Sequence, residues 1–526
     1  MTQLLWWNDH PDICDNGKMW DQHQLIDLLS PFEVVEEKDF TNGVVIVPGR
    51  FHTTEEDFVR FDNFIRTVQH AVVIVTSDEE SLYPAERLDH DNIDLWVMTP
   101  KLYKVYPGGT RFIGSLVPNH LLNATPLAEP DNDYFFSGQV THAAREQVVN
   151  SLRASKNKGA VIESPGFTQG LQPDNYADEM RNAKFLPCPP GPITPDSFRF
   201  YEALEAGNVP VLCKQDEKYW KLLFGKLPPV LWVNDWSQTS DAINAALNNW
   251  LPMANRCYAW WREQKYFMRR TLIRQLGFHP PAVSFLVASS PIHSHPSTEI
   301  IDETIESLSA LRKTNEPLFV MFDGIRNEQT KFRDVYQQFI RNCMINLADD
   351  PDFVPVLMRS HQHQARMTAK TLRLVESPLI CFMEHDTPLV NLFDHEAELI
   401  ITLLTDQLDL IRFAHEASIL EPHQHLMIDH DDPETVLYLR TVQWSQRPHL
   451  ARTEFYRRIL NWHFPKTSRT MIEDVMHGIV QDAWHVEGLE GWNKYRLAIY
   501  AGAENIKRST HTDGRGAEPK FEMKLK

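Results

Sequence analysis

The sequence predicts an α/β protein with two Rossmann-like halves followed by a third Rossmann-like domain. Three observations predict this fold. Short apolar runs alternate with amphipathic stretches from residue 43 onward, a pattern typical of a mainly parallel sheet. The alternation stops at FHPPAV (278–283), where consecutive prolines cannot continue a helix, and then begins again. The length of 526 residues is enough for three or four domains of roughly 100–200 residues each.

The first half covers about residues 1–128. Its runs GVVIVPG (43–49), AVVIVTS (71–77) and DLWVMTP (94–100) are interpreted as strands, since they are short, apolar and rich in β-branched residues. Between the first two, DFVRFDNFIRTVQ (57–69) has the apolar spacing of a helix. Together they predict one Rossmann-like unit.

The second half covers about residues 129–276 and continues the alternation. Its strands are predicted at DYFFSGQV (133–140), GAVIES (159–164), AKFLPCP (183–189), NVPVLC (208–213) and PVLWV (229–233). Amphipathic stretches separate these runs, and a helix from Asn255 to Leu276 closes the series. We therefore expect residues 1–276 to form two Rossmann-like halves that face a cleft.

The third domain is predicted over residues 280–505. Its strands are expected at VSFLVASSP (283–291), PLFVMFDG (317–324), FVPVLM (353–358) and PLICFMEHD (378–386), each separated by a helical pattern. Residues 506–526 lose this apolar periodicity and are basic, which predicts a partly mobile C-terminal tail.

The composition excludes several classes of protein. With 42% apolar and 23% charged residues, the chain is neither disordered, collagenous nor fibrous. A net charge of −19 excludes a broad basic surface, so any nucleic-acid contact would be local. The six cysteines form no C-x-x-C pair, which indicates neither a disulfide framework nor a cysteine zinc site. No run approaches the ~18 apolar residues of a membrane span, and the N-terminus lacks signal-peptide character, so a cytoplasmic protein is expected.

The segment KFLPCPPGPITPDSFRFYEALEAGNVPVLC (184–213) predicts a strand, a Pro/Gly loop, a helix and a second strand. The free N–H groups at such a helix start suit a diphosphate. Ser197 can donate a hydrogen bond, Arg199 can neutralise a phosphate, and Glu202 can accept hydrogen bonds from a ribose diol. The alternative is that these three side chains only cap a surface helix and form salt bridges on it.

This segment, with its Pro-Gly, Ser-x-Arg, Glu-Ala and Gly-x-x-Pro-Val pattern, resembles the exostosin-like glycosyltransferases of GT-B fold. FFSGQVTHAAREQVVNSL (135–152) resembles the start of the same half in that family. The resemblance covers about residues 130–215, and residues 1–125 only in outline. It implies a nucleotide-sugar donor, UDP-linked, with Gly138 and Arg145 also in the donor site.

The N-terminal WWNDHPD (6–12) places two tryptophans before polar residues. Aromatic rings stack on sugar faces, and an Asp or a His can act as general base on an acceptor hydroxyl. We take Asp9 as the candidate base of the first module, with His10 left open. Buried tryptophans beside a solvated turn would explain the pattern equally well.

PLICFMEHDTPL (378–389) places Glu384-His385-Asp386 directly after an apolar strand. A divalent hard cation takes carboxylate oxygens while it bridges two phosphates of a substrate. Asp386 is therefore our candidate ligand for Mn²⁺ or Mg²⁺, with Glu384 near the ribose or the metal. Taken alone, an acidic triplet at a strand end is common.

The triplet and the ends of the two preceding strands together resemble a family-two-type GT-A glycosyltransferase domain. GT-A glycosyltransferases end this strand with an acidic Asp-x-Asp type triplet. The resemblance implies that Ser290 lies near the base and that Asp323 contacts the nucleotide. It also implies that Arg366 and Lys370 point toward the pyrophosphate.

Three later residues complete the GT-A resemblance. Asp474 corresponds to the carboxylate that deprotonates the acceptor in inverting enzymes, although a charge in the first turn of a helix is an equal interpretation. His511 resembles a late histidine of the metal shell, and a plain tail residue is its alternative. Arg515 would then clamp a phosphate.

The sequence thus predicts a two-module glycosyltransferase that moves sugars from nucleotide-sugar donors to acceptor hydroxyls, in two successive additions to a glycan. A bacterial or viral setting is expected, because the membrane anchor of eukaryotic exostosins is missing. One alternative is a bacteriophage enzyme that glycosylates hydroxymethylated DNA bases. Its local basic face would consist of Arg262, Lys265, Arg269, Arg270 and Arg274, together with the tail 507–526. A sugar-binding protein with one or both modules inactive is the other alternative.

Overall fold

The computed structural model divides the chain into two compact units, Met1–His279 and Pro280–Lys526. The residues it describes are 2–7, 14–15, 18–19, 28, 32–49, 54–76, 78, 80–116, 124–166, 169–191, 193–391, 396–428, 438–500 and 506–512. Both units are mixed α/β structures built on largely parallel sheets, which confirms the predicted fold class. No helix in these ranges combines the length and the apolar character needed to cross a membrane.

The first sheet of the first unit contains six parallel strands in the order β4-β1-β5-β6-β7-β8. The strands of this half, including a separate two-stranded ribbon of β2 and β3, are β1 Thr2–Trp6, β2 Cys14–Asp15, β3 Lys18–Met19, β4 Phe32–Val34, β5 Asn42–Pro48, β6 His70–Thr76, β7 Ile93–Met98 and β8 Arg111–Ile113. Helix Glu55–Ile65 follows β5 and begins with a capping box between Thr54 and Asp57. Trp7 packs against Phe61 of this helix, in agreement with the interpretation of a buried tryptophan.

The second sheet of this unit has five parallel strands in the order β10-β9-β11-β12-β13. They are β9 Asn132–Gly138, β10 Gly159–Glu163, β11 Ala183–Pro187, β12 Val209–Cys213 and β13 Leu231–Val233. Its helices are Ala143–Arg153, Pro173–Arg181, Phe198–Glu205, Glu217–Phe224, Thr239–Ala246 and Trp250–Gln275. All five strands coincide with runs predicted from the sequence.

Asp196 joins the two halves of the first unit. Its buried Oδ2 accepts hydrogen bonds from the backbone N–H of Ser115 (3.1 Å) and from the hydroxyls of Tyr201 (3.3 Å) and Tyr219 (3.1 Å). Burial raises the pKa of Asp196 to about 6. Gly114 lies beside this cluster, and a Cβ there would overlap the Tyr201 hydroxyl. The loop after β8 is therefore fitted tightly against the helix that follows β11.

The second unit contains an eight-stranded sheet in the order β16-β15-β14-β17-β20-β18-β21-β19. Its strands are β14 Val283–Ser289, β15 Leu318–Phe322, β16 Phe353–Leu357, β17 Leu379–Glu384, β18 Leu410–Phe413, β19 Tyr438–Arg440, β20 His449–Arg452 and β21 Leu497–Tyr500. Its helices are Glu299–Ser307, Arg333–Asn346, His363–Thr371, Glu396–Leu404, Thr453–His463, Ile472–Glu487 and Leu489–Asn493. The first four strands are parallel and were predicted, whereas β20 is antiparallel to both β17 and β18.

Replacing Gly114 by alanine tests the fit at Asp196. We expect the Gly114→Ala variant to lose about 1–3 kcal/mol of unfolding free energy, since the added methyl group forces buried neighbours to shift. Urea denaturation followed by tryptophan fluorescence measures this loss. Gly108→Ala is the matched control, because beyond its chain neighbours no atom of the described residues lies within 4 Å of its added Cβ. Equal midpoints for the two variants would contradict the tight fit.

Candidate functional site

The carboxyl end of β17 carries the acidic triplet of the second unit. β17 pairs with β14, whose other neighbour is β15, so the strand order reverses at β14. In open α/β sheets, ligands bind in the crevice where the strand order reverses in this way. Glu384 is the last residue of β17, and Asp386 follows two residues later.

Asp386 is buried, with only 4% of its surface exposed. Its Oδ1 atom has no hydrogen-bond partner among the described residues, and its Oδ2 lies 3.7 Å from Nε2 of His511. The backbone carbonyl of Asp386 accepts a hydrogen bond from the Thr512 N–H (2.9 Å). The structure therefore brings together the two residues predicted as metal ligands, although most of the second unit separates them in sequence.

Backbone hydrogen bonds hold the segment that carries His511. The N–H of Ser509 donates to the carbonyl of Ala414 (3.0 Å), and the N–H of Thr510 donates to that of Pro388 (3.0 Å). Ser509 is fully buried. Residues 506–512, which we predicted as the start of a mobile tail, are thus packed between the loop after β17 and the end of β18.

The two side chains suit a hard divalent cation that completes its shell with other ligands. A carboxylate oxygen and an imidazole nitrogen both ligate Mn²⁺, and such ions keep several positions for water and phosphate oxygens. Within the described ranges, no group of three or more His, Cys, Asp or Glu side chains is arranged to hold a metal. Substrate oxygens and water would therefore supply the remaining ligands.

Gln364 links the acidic triplet to the region of Asp474. Its amide nitrogen donates to Oε1 of Glu384 (3.0 Å), and its amide oxygen accepts from the Ile472 N–H (2.9 Å). Asp474 is exposed in the first turn of helix Ile472–Glu487. A single buried glutamine, which the sequence analysis did not identify, thus connects the end of β17 to the turn that carries the candidate base.

Asp323 is buried and engaged with the protein itself. Its carboxylate accepts from the N–H groups of Gly324 (2.8 Å), Gln362 (2.7 Å) and His363 (2.9 Å). Nδ1 of His361 lies 2.9 Å from Oδ2. Asp323 therefore fixes the loop that precedes helix His363–Thr371, and its contact with a nucleotide stays a prediction.

Ser290 and Arg366, the other predicted donor contacts of this unit, are accessible. Ser290 is exposed just after β14, and Arg366 is half-buried on helix His363–Thr371. Lys370 on the same helix is exposed, and desolvation followed by the charge of Arg366 lowers its pKa. Arg515 lies outside the described residues.

In the first unit, Arg199 is 9% exposed and only partly hydrogen-bonded. Its Nη2 donates to the Ser137 carbonyl, while Nε and Nη1 have no partner among the described residues. The guanidinium carbon lies 4.7 Å from the centre of the Phe136 ring. A Cβ on Gly138 would overlap Nη2, so this position has room only for glycine.

Glu202 and Arg145 have protein partners. The Tyr176 hydroxyl donates to Oε2 of the buried Glu202 (2.6 Å), and burial raises the pKa of this carboxyl. Arg145 donates from Nη1 to the carbonyl of Gln139 (3.0 Å) and from Nη2 to that of Pro190 (3.2 Å). Arg145 thus braces the loops at Gln139 and Pro190, and Glu202 joins its helix to helix Pro173–Arg181. Contact of either residue with a donor stays a prediction.

Ser197 and Asp9 complete the predicted residues of the first unit. Ser197 is the N-cap of helix Phe198–Glu205, but its side chain makes no capping hydrogen bond, so the hydroxyl is not used as a cap. Asp9 and His10 lie outside the described residues.

The basic residues of helix Trp250–Gln275 do not form the exposed face that we expected. Arg262, Lys265 and Arg270 are buried. Lys265 Nζ lies 2.8 Å from Oε1 of the buried Glu205. Most aromatic side chains of this helix are buried, and the basic side chains close to them on the helix are buried as well.

Comparison with protein-family models gives no match, and neither does comparison with curated proteins. Among solved structures, S. aureus TarS 1–349 is similar over 44% of this chain and 61% of its own, less than two thirds of its length (12% identity, TM-score 0.29). A mannosyltransferase, PcManGT from Pyrobaculum calidifontis in complex with GDP-Man and Mn²⁺, is similar over 51% of this chain and 69% of its own (12% identity, TM-score 0.30). GalNAc-T7 with UDP, GalNAc and Mn²⁺ is similar over 44% of this chain and 43% of its own (9% identity, TM-score 0.29). At these TM-scores the activity of this chain has to be argued from its own side chains.

The Asp386–His511 pair predicts a measurable affinity for Mn²⁺. We expect Asp386→Asn to weaken binding of Mn²⁺ at least about tenfold, because a carboxylate ligand to a hard cation is lost. Free Mn²⁺ is measured by its paramagnetic resonance signal during titration of the full chain. Asp349→Asn, which removes an exposed carboxylate elsewhere in the unit, is the control. Equal affinities for both variants would exclude Asp386 as a ligand.

Proposed function

We propose that the chain is a metal-dependent glycosyltransferase that moves a sugar from a nucleotide-sugar donor to an acceptor hydroxyl. The second unit carries out this transfer with Mn²⁺ or Mg²⁺. The observation that carries the proposal is the buried carboxylate of Asp386, whose Oδ1 has no hydrogen-bond partner among the described residues, beside His511 at the carboxyl ends of the parallel strands. Such a carboxylate is costly to bury unless a cation or a proton compensates it.

Asp386 and His511 would hold the cation, which when bound stabilises the negative charge of the nucleoside diphosphate as it leaves. Glu384, oriented by Gln364, can accept a hydrogen bond from a ribose hydroxyl. These side chains orient the diphosphate so that the bond to the anomeric carbon faces the acceptor.

The transfer itself needs a base for the acceptor. In an inverting reaction, the acceptor oxygen forms its bond to the anomeric carbon as the bond from that carbon to the phosphate oxygen breaks. The electron pair leaves with the diphosphate, and the acceptor proton passes to a carboxylate. Asp474 is the proposed base, supported by its exposed position next to Ile472, which Gln364 connects to Glu384.

The first unit is proposed to bind a second nucleotide-sugar donor and to add the other of two successive sugars to a glycan. Arg199 supports this, since Nε and Nη1 of its guanidinium, which have no partner in the described part of the chain, provide N–H donors of the kind that phosphates bind. Gly138 supports it as well, because its missing Cβ lets the guanidinium approach the end of β9. Asp9 is the proposed base of this unit.

Glycosylation of DNA bases receives less support than transfer to a glycan. Three of the five basic residues that the DNA alternative requires are buried in the first unit. A sugar-binding protein with inactive modules is distinguished from an enzyme by turnover alone. Hydrolysis of the donor is therefore the measurement that tests the function.

The full chain is incubated with a panel of nucleotide sugars and Mn²⁺, and free nucleoside diphosphate is measured. We expect hydrolysis of at least one donor, and a loss of at least about 10²-fold in Asp386→Asn. The Arg199→Gln variant tests the first unit. If the two units act separately, the loss of donor hydrolysis caused by Arg199→Gln does not depend on whether Asp386 is also replaced. No hydrolysis of any donor by the wild type would favour the sugar-binding alternative, and mass spectrometry of acceptor mixtures identifies the acceptor.

The role of Asp474 is tested by Asp474→Asn. We expect kcat to fall about 10²–10⁴-fold while KM for the donor stays unchanged, since a general base acts on the acceptor and not on the donor. Asp482→Asn is the matched control, an exposed carboxylate on the same helix. Equal kcat values for the two variants would contradict the assignment.

A further inference from the structure

A group of positive side chains lies at the end of β18, next to the segment that carries His511. Arg412 belongs to β18 and pairs in register with His449 of β20. The Phe413 N–H donates to the Pro448 carbonyl (2.9 Å), which brings Arg447 to the end of β18. None of these residues was identified from the sequence.

The segment 506–512 adds Lys507 to this group. The N–H groups of Arg508 (2.7 Å) and Ser509 (3.0 Å) both donate to the carbonyl of Ala414. Lys507 precedes these residues, and His415 directly follows Ala414. The strand end and the segment therefore place their basic side chains on a common site, which we call the basic cluster: Arg412, Arg447, Lys507 and His415.

The electrostatics of His415 reflect the basic cluster. Burial, followed by the positive charges of Arg447, Lys507, His511 and Arg412, lowers the pKa of His415 to about 4. His415 is therefore neutral at physiological pH. The positive charge of the cluster resides on the two arginines and the lysine.

Carboxylates lie near the basic cluster as well. Burial is the main cause that lowers the pKa of Arg412 to about 10, while the charge of Glu473 raises this pKa and that of Arg447 lowers it. Glu416 is another nearby carboxylate, with Oε1 4.0 Å from Nε2 of His415 and 55% of its side chain exposed. Two arginines and a lysine thus lie close together in a chain whose net charge is −19.

Like charges that are partly removed from water repel each other, and an anion bound between them offsets this repulsion. Two guanidinium groups and an ammonium suit a phosphate, because the guanidinium fork matches two of its oxygens. The Nη2 of Arg412 already donates to Oε1 of Gln443 (2.9 Å), which fixes the orientation of its fork.

We propose that Arg412, Arg447 and Lys507 bind a phosphate group of a substrate beside the Asp386–His511 pair. The proposal rests on the proposed function of the second unit and extends it. The phosphate has two possible sources, the donor diphosphate or a phosphate carried by the acceptor. In the second case the acceptor is a phosphorylated glycan or glycan precursor.

The test uses the full chain and two variants, Arg447→Gln and Lys507→Gln, which change half-buried side chains. Lys494→Gln is the control, because Lys494 is an exposed lysine of the same unit paired with Glu487. Inorganic phosphate is titrated calorimetrically at constant ionic strength without metal, and UDP is titrated with Mn²⁺ in a second series. We expect the two variants to bind phosphate at least about tenfold more weakly than the control.

The two series separate the sources. If the donor supplies the phosphate, both variants also bind UDP with Mn²⁺ about tenfold more weakly, and saturating UDP with Mn²⁺ blocks phosphate. If the acceptor supplies it, UDP binding is unchanged and phosphate still binds to the saturated protein. The proposal is overturned if neither ligand distinguishes the two variants from Lys494→Gln. Because no sugar is transferred in this test, its result is independent of whether Asp386→Asn abolishes donor hydrolysis.

Discussion

The arrangement of the second unit depends on a buried carboxylate whose hydrogen-bonding capacity the described residues leave partly unused. An ionised carboxylate in the interior costs several kcal/mol unless a cation, a proton or hydrogen bonds compensate it. Asp386 has His511 on one side, and on the other its Oδ1 has no hydrogen-bond partner within the described ranges. The backbone bonds of residues 506–512 keep His511 in place, so the end of the chain contributes directly to the electrostatics of the acidic triplet.

Most of the parallel strands were predictable, because they are short apolar runs. Strands β1 to β4 and β8 of the first unit and strands β18 to β21 of the second unit were not predicted. Strands β18 to β21 are three or four residues long and, apart from β21, include charged or polar residues. Their pairing depends on neighbours far away in sequence, such as the antiparallel contact of Cys381 with Leu450. Arg412 of the basic cluster lies on β18 and the other members lie outside the strands, so strand patterns could not predict the cluster.

In the first unit, the sequence identified the strand, loop, helix and strand of residues 184–213, because Pro and Gly mark their limits. It did not indicate that Arg199 and Glu202 are buried. Burial follows from contacts with Ser137 and Tyr176, which belong to other elements. Asp196 is a similar case. In the sequence it is a residue just before a helix, whereas in the structure its carboxylate accepts a hydrogen bond from the Ser115 N–H of the other half.

Glu473 and Asp474 are adjacent in sequence but have different environments. Oε2 of Glu473 accepts from the Gln446 N–H (2.9 Å), and its charge acts on Arg412, whereas Asp474 is exposed. The start of helix Ile472–Glu487 thus has one carboxylate whose charge raises the pKa of Arg412 and presents the other to solvent. An acceptor whose phosphate is bound by Arg412 would have its remaining atoms close to this turn. A phosphate on the acceptor would therefore bring its hydroxyl toward Asp474, and anion binding and proton removal would depend on the same turn of helix.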